Sequence, residues 1–513
     1  MKFASFLASH AAFMGGKEAV VCGAERLSFA DLDEQTTRLA QALRDEAKVQ
    51  PGDRVAVYLP NSVAFVRAFI AVIKAGGIAV PVNLPLSVPE IAHIVSDCKP
   101  KAAFIGEATR ANFIRAIDGA DVRSIACEPG CEGDFRQEDL LDARKPRAPL
   151  DIPFDADDCM VAYTSGTTGR AKGVILTQSN YMFVNGFLNG WHWRLTSDDR
   201  HLCTTPLAHR TGMARLMNMI LHGSTLVVMP RFEASDAARL VREERVTVLG
   251  MVPTVGRMML AEAEARPGDF ATLRIALVTG EAFPLDVKRR LSDALPHVRF
   301  YSFYAMTEAG AIAWLDSGEQ FTHPTSVGRV WPGVEVKLVA NDGAEVPLGE
   351  AGEIWVRSGQ PGSFSTMREY FRRPEDTAKT LRDGWVATGD MGQFDEGGYL
   401  YLMDRKKDMV LSGGYNIYSK EVELAIQSHP GVRDAAVIGV PDAMFGEAVA
   451  AYVEVEEGAS LDAQAVIDHC RERIASYKKP KHVFFMPALP RNSTGKVLKT
   501  QLRELYRADT TAA

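Results

Sequence analysis

The sequence predicts an α/β protein, with a large N-terminal layered α/β domain and a small C-terminal α+β domain. Three observations lead to this prediction. The chain has 513 residues, which is too many for one ordinary hydrophobic core. Short β-rich runs alternate with helical stretches up to about residue 400, which is typical of layered, largely parallel sheets. After the charged run 404–408 a separate compact unit follows.

The alternation is clearest between residues 55 and 82, where residues 55–59 predict a strand, 63–73 a helix and 76–82 the next strand. The same rhythm returns further along, each time near an amphipathic helix. The strands predicted there are 225–229, 246–251 and 275–279. From 352–357 to 399–402 the pattern changes to short strands and turns.

We place the domain boundary in the charged run 404–408. Residues 1–403 then form the N-terminal domain, 404–408 a hinge and 409–513 the C-terminal domain. Within the C-terminal domain we predict two strands and two flanking helices. Their ranges are 435–440 and 449–455 for the strands, and 420–428 and 463–475 for the helices.

The N-terminus faintly resembles a signal peptide, but His10 interrupts its apolar run and no clean cleavage site follows. Phe3, Phe6, Leu7 and His10 share one helical face, so a first helix that faces the core is the preferred interpretation. No segment has the ~18 uninterrupted apolar residues of a membrane span. We therefore predict a cytoplasmic protein without a membrane span.

Composition excludes several classes of function. The net charge of −7 provides no basic surface for nucleic acid or an anionic membrane. The seven cysteines are scattered, which suggests a reducing compartment. Only Cys127 and Cys131 lie close together, and no second pair or flanking histidine completes a zinc site.

The most informative stretch runs from Thr164 to Gly173. It contains four hydroxyl side chains, three glycines and two cations within ten residues. Glycine lets backbone N–H groups approach a phosphate, hydroxyls donate further hydrogen bonds, and a lysine offsets the charge. Neither the common NTPase loop nor the dinucleotide-binding glycine motif fits the spacing. A flexible surface turn is the alternative interpretation.

The same stretch resembles the signature loop of the adenylate-forming superfamily, which contains acyl-CoA synthetases, amino-acid adenylation domains and beetle luciferases. The resemblance implies that Lys172 acts in catalysis and that the loop binds ATP. The implied ATP-binding residues are Thr164, Ser165, Gly166, Thr167, Thr168 and Gly169. Ala171 replaces the family's usual proline, so we expect a more mobile contact with the nucleotide.

Residues 303–308 are similar to the family's next motif. By that resemblance Tyr304 packs on adenine, Thr307 contacts phosphate, and Glu308 binds the Mg²⁺ carried by ATP. A carboxylate suits this hard cation. Ala305 stands where the family has glycine, so its methyl group is expected to press on the nucleotide or protrude into the acyl pocket, to which Met306 is also assigned. An ordinary strand end is the alternative.

Further motifs follow in the family's order. Residues 280–282, Gly280, Glu281 and Ala282, resemble the segment that lines the adenine pocket. Asp390 resembles the family's ribose-binding carboxylate at a strand end, and Arg405 its second nucleotide contact. Lys407 falls at the family's hinge position, although the run 404–408 is also compatible with a solvated linker.

Residues 489–496 are similar to the family's C-terminal loop, which makes Lys496 the catalytic lysine of adenylation. A positioned cation stabilises the negative charge that grows on the transferring phosphoryl group and on the leaving pyrophosphate. Gly414 matches the position beside the incoming thiol, where only a backbone fits. His209 resembles the residue that borders the acyl and thiol sites, so we assign it to the pocket wall.

The resemblance covers roughly residues 20–505 and implies a mobile C-terminal lid. It also implies activation of a carboxylic acid by ATP and transfer of the acyl group to coenzyme A, with release of AMP and pyrophosphate. No acid is placed to bind a substrate ammonium group in the acyl segment, so a fatty or aromatic acid is preferred. ATP, Mg²⁺, CoA and the acid are the expected ligands, and a homodimer is compatible with the sequence.

Two other functions remain open. The first is a stand-alone adenylation enzyme that loads a separate acyl or amino-acid carrier protein. The second is a nucleotide-binding regulator with a degenerate site. The joint presence of the predicted phosphate, metal and ribose contacts argues against a degenerate site. Those residues are Lys172, Thr307, Glu308, Asp390, Arg405 and Lys496.

Overall fold

The computed structural model describes residues 2–142, 150, 157–164, 170–280, 283–413, 415–491 and 497–511. The chain folds into two compact units. The first unit comprises Met1–Val336 and Val356–Ala387, and the second comprises Lys337–Trp355 and Thr388–Ala513. The predicted boundary at 404–408 falls inside the second unit. Because a hinge is defined by motion and these units by contacts, the hinge stays a prediction.

The first unit contains helices that alternate with strands along the chain. The helices are α1 Phe3–Met14, α2 Phe29–Asp45, α3 Val63–Lys74, α4 Val88–Cys98, α5 Glu107–Ile117, α6 Gln137–Leu140, α7 Gln178–Tyr181, α8 Gly190–Trp193, α9 Arg210–His222, α10 Ala234–Glu243, α11 Pro253–Ala265, α12 Leu285–Ala294 and α13 Pro374–Thr380. A π-helical segment, Met182–Asn189, joins α7 to α8.

The strands of the first unit form two sheets. They are β1 Glu18–Cys22, β2 Glu25–Ser28, β3 Arg54–Tyr58, β4 Ile78–Pro81, β5 Ala102–Ile105, β6 Arg123–Ala126, β7 Phe135–Arg136, β8 Asp158–Thr164, β9 Lys172–Thr177, β10 Arg200–Cys203, β11 Thr225–Val228, β12 Val248–Met251, β13 Ile275–Val278, β14 Arg299–Met306, β15 Gly310–Leu315 and β16 Ser326–Val330.

One sheet has the order β7-β6-β5-β3-β4-β8-β9 and is parallel up to β8, which pairs antiparallel with β9. In the other, β14-β13-β12-β10-β11-β1 are parallel, and antiparallel strands β15 and β2 continue it at either side. The predicted α/β class with largely parallel sheets is confirmed, and the predicted strands differ from the observed ones only by a residue or two at their ends.

The main core of the first unit lies around α3, which has buried residues along nearly its whole length. A helix that is apolar on all sides must be covered on all sides. Phe3 and Leu7 of α1 are buried in the same core, so the first helix faces inward as predicted. Three methionines of α9 also belong to it, namely Met213, Met217 and Met219.

The second unit begins with most of strands β17 Glu335–Val339, β18 Gly352–Arg357 and β20 Trp385–Phe394 and with β21 Leu400–Arg405, which are neighbours in that order. The two-residue β19 Leu381–Arg382 belongs to the first unit and pairs with the first residues of β20. Its C-terminal part is α+β. The elements are β22 Val410–Ser412, β23 Tyr415–Ile417, α14 Ser419–Gln427, β24 Val432–Asp442, β25 Gly446–Val455, α15 Ala463–Arg471, β26 His482–Met486 and α16 Lys499–Thr511. Both predicted strands are present and longer than expected, and α15 ends four residues before the predicted end.

Among the described residues, no helix is long and apolar enough to cross a membrane.

Candidate active site

The glycine- and hydroxyl-rich stretch connects the two strands of a hairpin. Thr164 at the end of β8 pairs with Lys172 at the start of β9, so the residues between them form the hairpin connection. The predicted phosphate-binding residues within it lie outside the described residues; they are Ser165, Gly166, Thr167, Thr168 and Gly169. The ends of β8 and β9 therefore fix where this loop begins and finishes.

Lys172 is held by two groups at the base of this loop. Its Nζ lies 2.8 Å from Oδ1 of Asp376 and 5.4 Å from the centre of the Tyr370 ring. The hydrogen bond from Lys172 is the main reason why the pKa of Asp376 is lowered. A lysine placed in this way provides a fixed positive charge where the loop returns to the sheet.

Ala171, which replaces the family's proline, is anchored by another element. Nε2 of His93 on α4 lies 2.9 Å from the carbonyl oxygen of Ala171, within hydrogen-bond distance. A contact of this kind restrains the backbone from outside the loop, whereas proline restrains it from within. The expected greater mobility of the nucleotide contact stays a prediction.

Glu308 lies in the turn between β14 and β15 and is buried. The Tyr370 hydroxyl donates a 3.0 Å hydrogen bond to Oε1, and Oγ1 of Thr164 lies 3.5 Å from the same oxygen. Burial, followed by the charge of Glu308, holds the pKa of Tyr370 well above its usual range, so its hydroxyl keeps the proton that it donates. The carboxylate is thereby fixed beside the end of β8.

The donor set at Glu308 is compatible with a hard cation. Both hydrogen bonds reach Oε1, and within the described part of the chain Oε2 has no hydrogen-bond partner. One carboxylate oxygen together with substrate phosphates is how proteins commonly bind Mg²⁺, which keeps several waters. The described residues contain no cluster of three potential metal-binding side chains. A cation here would therefore depend on oxygens of the substrate.

The residues before Glu308 lie on β14. Tyr304 is buried, whereas Ala305 and Met306 are half-buried. Pairing with β15 shifts between Tyr304 and Ala305, and such an irregularity changes the direction of the side chains that follow. The motif thus places an aromatic ring, a small side chain and a methionine at the end of a central strand.

Arg210, which directly follows His209, links the start of α9 to Thr307. Nη1 of Arg210 donates a 2.7 Å hydrogen bond to the carbonyl oxygen of Thr307. His209 precedes α9, and its Nδ1 lies 2.8 Å from Oγ1 of Thr211. Burial lowers the pKa of the His209 imidazole and Arg210 lowers it further, so the ring is neutral at neutral pH. The start of α9 is therefore joined to the predicted phosphate-contact motif.

Gly280 follows β13 with a φ of 101°, which favours glycine over any residue with a side chain. The chain turns here at the carboxyl end of a parallel strand, where ligands bind in open α/β sheets. Glu281 and Ala282, the other two residues of the predicted adenine segment, lie outside the described residues.

In the second unit, Asp390 and Arg405 are directly opposite one another on β20 and β21. Oδ1 of Asp390 lies 3.1 Å from Nε of Arg405. The prediction that Asp390 is at a strand end was wrong, because β20 continues to Phe394 and its pairing with β21 covers Asp390. The two predicted nucleotide contacts nevertheless form one ion pair.

Several contacts tie the charged run 404–408 into the second unit. Lys406 pairs with Glu353 at 2.9 Å, and Asp408 pairs with Arg503 at 2.8 Å. Asp404 accepts a 3.1 Å hydrogen bond from the Ser419 hydroxyl. These contacts tie the end of β21 and the residues that follow it to β18, α14 and α16.

Lys407, the predicted hinge residue, is exposed. Its carbonyl oxygen nevertheless accepts a 3.2 Å hydrogen bond from Arg503 on α16. Lys496 and Gly414 lie outside the described residues. Arg491 and Val497, which flank the segment containing Lys496, form an isolated antiparallel bridge.

Sequence reasoning missed four residues that contact the predicted site. His93, Arg210, Tyr370 and Asp376 hold Ala171, Thr307, Glu308 and Lys172, respectively. Arg210 directly follows His209, which was predicted to line the pocket, but the sequence does not show which group Arg210 binds. The other three are at least 60 residues away from their partners.

Comparisons with known proteins identify the family of this chain. The AMP-binding enzyme family matches residues 7–371, and the C-terminal domain of AMP-binding enzymes matches residues 421–496. A feruloyl-CoA synthase of an Amycolatopsis species is 36% identical over 493 residues, covering 95% of this chain and 96% of the relative. A long-chain fatty acid–CoA ligase of Mycobacterium tuberculosis is 36% identical over 490 residues, covering 94% of each.

A solved structure shares the whole architecture. The crystal structure of ATP-bound MatB from Rhodopseudomonas palustris has a TM-score of 0.87 and 31% sequence identity, covering 99% of each chain. The large N-terminal and smaller C-terminal parts therefore have the same fold as that protein.

Proposed function

Because the chain belongs to the AMP-binding enzyme family within the adenylate-forming superfamily, we propose that it is an AMP-forming acyl-CoA synthetase. It activates a fatty or aromatic carboxylic acid with ATP and transfers the acyl group to coenzyme A. The observation that supports this most strongly is the cluster of Thr164, Lys172, Thr307 and Glu308 around the ends of β8, β9 and β14. Relatives that match nearly the whole chain bear the names of CoA ligases.

The reaction has two steps. A carboxylate oxygen of the acid attacks the α-phosphorus of ATP, and pyrophosphate leaves. The thiol of CoA then attacks the acyl carbon of the adenylate, and AMP leaves. A free carboxylate is a poor electrophile because its charge repels nucleophiles, so joining it to AMP provides the leaving group that the second step needs.

Residues of the first unit supply the charge complement for the first step. Lys172 and the loop that it terminates would bind the phosphates, and Thr307 would donate to them. Glu308, held by Tyr370 and Thr164, would hold Mg²⁺, which neutralises phosphate charge when it is bound. Tyr304 and Gly280 would border the adenine, while His209, Ala305 and Met306 would line the acyl pocket.

Residues of the second unit would complete both steps. Asp390 would accept hydrogen bonds from the ribose hydroxyls, and Arg405, its ion-pair partner, would make the second nucleotide contact. Lys496 would stabilise the charge that develops during adenylation. Rotation of the lid about Lys407 would then bring Gly414 to the thiol, which is a known way to order two reactions in one site.

The proposal also includes a cytoplasmic location and a homodimeric state. All seven cysteines are free thiols, and most of them are buried, which suits a reducing cytoplasm. A homodimer stays a prediction.

A half-reaction experiment tests the assignment of Lys496. Lys496→Ala should abolish pyrophosphate release from ATP and acid, yet still form acyl-CoA from supplied acyl-adenylate and CoA. Lys479→Ala, which removes a partly exposed lysine that donates to the carbonyl oxygen of Ser476, serves as the matched control and should leave both half-reactions intact. Equal loss of both half-reactions in Lys496→Ala would contradict the assigned role.

A further inference from the structure

Arg215 is a buried cation for which the described part of the chain shows no partner. It lies on α9, six residues after His209, and only 3% of its surface is exposed. Its Nε and Nη1 are buried and have no hydrogen-bond partner, and no ion pair reaches it within the described part of the chain. A buried guanidinium is normally paired, because its loss of hydration is otherwise uncompensated.

The elements packed around Arg215 provide no anion for it. Cys203 on β10 is fully buried, and burial raises the pKa of its thiol to about 12, so it is uncharged at neutral pH. Both ring nitrogens of His201 on the same strand lack partners, and burial together with Arg215 keeps the pKa of this imidazole well below its usual range. Burial lowers the pKa of Arg215 itself to about 10, so the guanidinium remains charged.

Gly250 on β12 makes room for the guanidinium. A Cβ atom at this glycine would lie 3.1 Å from Nη1 of Arg215 and 3.3 Å from its Cζ. The carbonyl oxygen of Gly250 already accepts a 2.8 Å hydrogen bond from Oγ1 of Thr204. Glycine is therefore present where the guanidinium packs against the sheet. The nearby carbonyl oxygen of Gly250 accepts its hydrogen bond from Thr204 and not from Arg215.

The position of Arg215 connects it to the predicted acyl site. Arg210, at the start of α9, donates to Thr307, and Arg215 is five residues further on, about 7.5 Å along the helix axis. β10 and β12 are parallel neighbours, and their carboxyl ends lie at the edge where α/β sheets bind ligands. An acid activated beside Thr307 could extend along α9 toward Arg215.

We propose that Arg215 binds an oxygen acceptor, most strongly a second carboxylate, at the far end of the acyl substrate. This inference rests on the proposed function and narrows its substrate class to fatty or aromatic acids that carry such a group. A carboxylate matches the guanidinium with two parallel hydrogen bonds and neutralises its charge. A plain apolar acid would leave the cation unpaired, and sites built for a polar group reject analogues that lack it.

Matched pairs of acids provide the test. Each pair has one acyl skeleton with and without the distal group: hexanoate and hexanedioate, and 3-phenylpropanoate and 3-(4-carboxyphenyl)propanoate. The neutral ketone 3-(4-acetylphenyl)propanoate separates a requirement for charge from one for an acceptor. The measured quantity is kcat/KM for pyrophosphate release. The wild type should favour the dicarboxylate in the better-accepted pair by on the order of 100-fold, with the ketone between the two acids.

Three variants sharpen the result. Arg215→Met, which is similar in length and uncharged, should reverse the preference within each pair. Arg215→Lys should keep part of it, because an ammonium group offers charge without the planar fork. Arg239→Met, which removes an exposed arginine of α10, is the control and should keep the preference of the wild type. An unchanged preference in Arg215→Met would overturn the inference.

A binding measurement separates this inference from the proposed function. Titration calorimetry of the dicarboxylate with the whole protein should show binding that weakens at least tenfold in Arg215→Met. If the wild type turned over plain acids with no preference for the distal group, this would contradict the role of Arg215 but not the proposed function. Absence of pyrophosphate release with every acid would contradict the proposed function, and the calorimetric comparison would still decide whether Arg215 binds the distal carboxylate.

Discussion

Glu308 and Arg215 are both buried charged groups of the first unit, but their surroundings differ. Glu308 accepts hydrogen bonds from Tyr370 and Thr164 and is held in one position. Arg215 has two buried nitrogen atoms without any partner. The protein holds Glu308 in place through one carboxylate oxygen before any ligand arrives, whereas it provides no such anchor for the guanidinium of Arg215 and leaves that partner to the ligand.

This difference predicts different consequences for substitution. Changes at Glu308 and Tyr370 should affect every acid equally, because they alter the part of the site that we propose binds the common substrate ATP. Changes at Arg215 should depend on the acid.

Glu308→Gln should lower kcat for pyrophosphate release by on the order of 100-fold with every acid, because it removes a charge aimed at the phosphate–metal complex. Steady-state rates over a range of Mg²⁺ concentrations would measure it. Glu335→Gln, which removes an exposed carboxylate paired with Arg357, is the control and should retain the wild-type rate. A loss confined to dicarboxylic acids would contradict the assignment of Glu308 to the nucleotide.

Tyr370→Phe should reduce kcat about tenfold, since it removes one hydrogen bond to a charged acceptor, which is worth about 1.5 kcal/mol. The same assay measures it, and the ratio between acids of a pair should stay unchanged. Tyr401→Phe provides a matched control, because that hydroxyl donates to Asp395 in the second unit. A wild-type rate in Tyr370→Phe would show that Glu308 is positioned without it.

Arg215→Met should stabilise the ligand-free protein by about 1 kcal/mol or more, because an unpaired buried charge is replaced by an apolar side chain of similar length. Thermal denaturation without substrates should show a higher midpoint. Tyr370→Phe should lower the midpoint in the same experiment. A lower midpoint for Arg215→Met would indicate that the guanidinium stabilises the fold, and it would remove the contrast with Glu308.

The stability of the protein should fall on mild acidification. Burial lowers the pKa of several histidines of the first unit, namely His10, His192, His201, His209 and His222. The folded state binds fewer protons at these groups than the unfolded state, so their contribution is complete above the unfolded pKa of about 6.5 and is lost as the pH falls below it.

Thermal midpoints between pH 8 and pH 5 would measure this effect. The midpoint should stay nearly constant down to about pH 7 and then decrease, and His201→Leu should decrease less steeply. A midpoint that is constant down to pH 5 would contradict the neutral, buried state of these imidazoles.

Ala305→Gly should have the smallest effect, a modest widening of the range of acids accepted. Ala305 follows the irregularity in β14, so its methyl group projects where the strand changes direction. Relative rates across acids of increasing width would measure it. An unchanged acid profile would remove Ala305 from the pocket.

Glu308 and Arg215 also differ in how much of their role can be predicted from the sequence. Thr164, Lys172 and Glu308 belong to short motifs, and the strands around those motifs follow from hydrophobic patterning, so both the fold class and this part of the site could be predicted. Tyr370 and Asp376 could not, because they reach Glu308 and Lys172 only through tertiary contacts. Such pairings depend on how the chain folds back on itself, which no local pattern specifies.

The environment of Arg215 also depends on tertiary packing and could not be predicted from the sequence. In the sequence it is one cation among the methionines of an amphipathic helix, where an exposed position would be the ordinary expectation. Its burial depends on how α9 packs against the sheet, and its lack of a partner depends on which residues neighbouring strands place opposite it. Only His209, Ala305 and Met306 were accordingly predicted to line the acyl pocket.

Product stoichiometry tests the central claim most directly. The enzyme, ATP, Mg²⁺, CoA and the best acid of the panel would be incubated, and AMP, pyrophosphate and acyl-CoA would be quantified by mass spectrometry. We predict one acyl-CoA and one AMP for each pyrophosphate over many turnovers. Pyrophosphate limited to one equivalent per enzyme, with acyl-adenylate retained and no acyl-CoA formed, would contradict CoA as the acceptor and would favour a carrier protein instead.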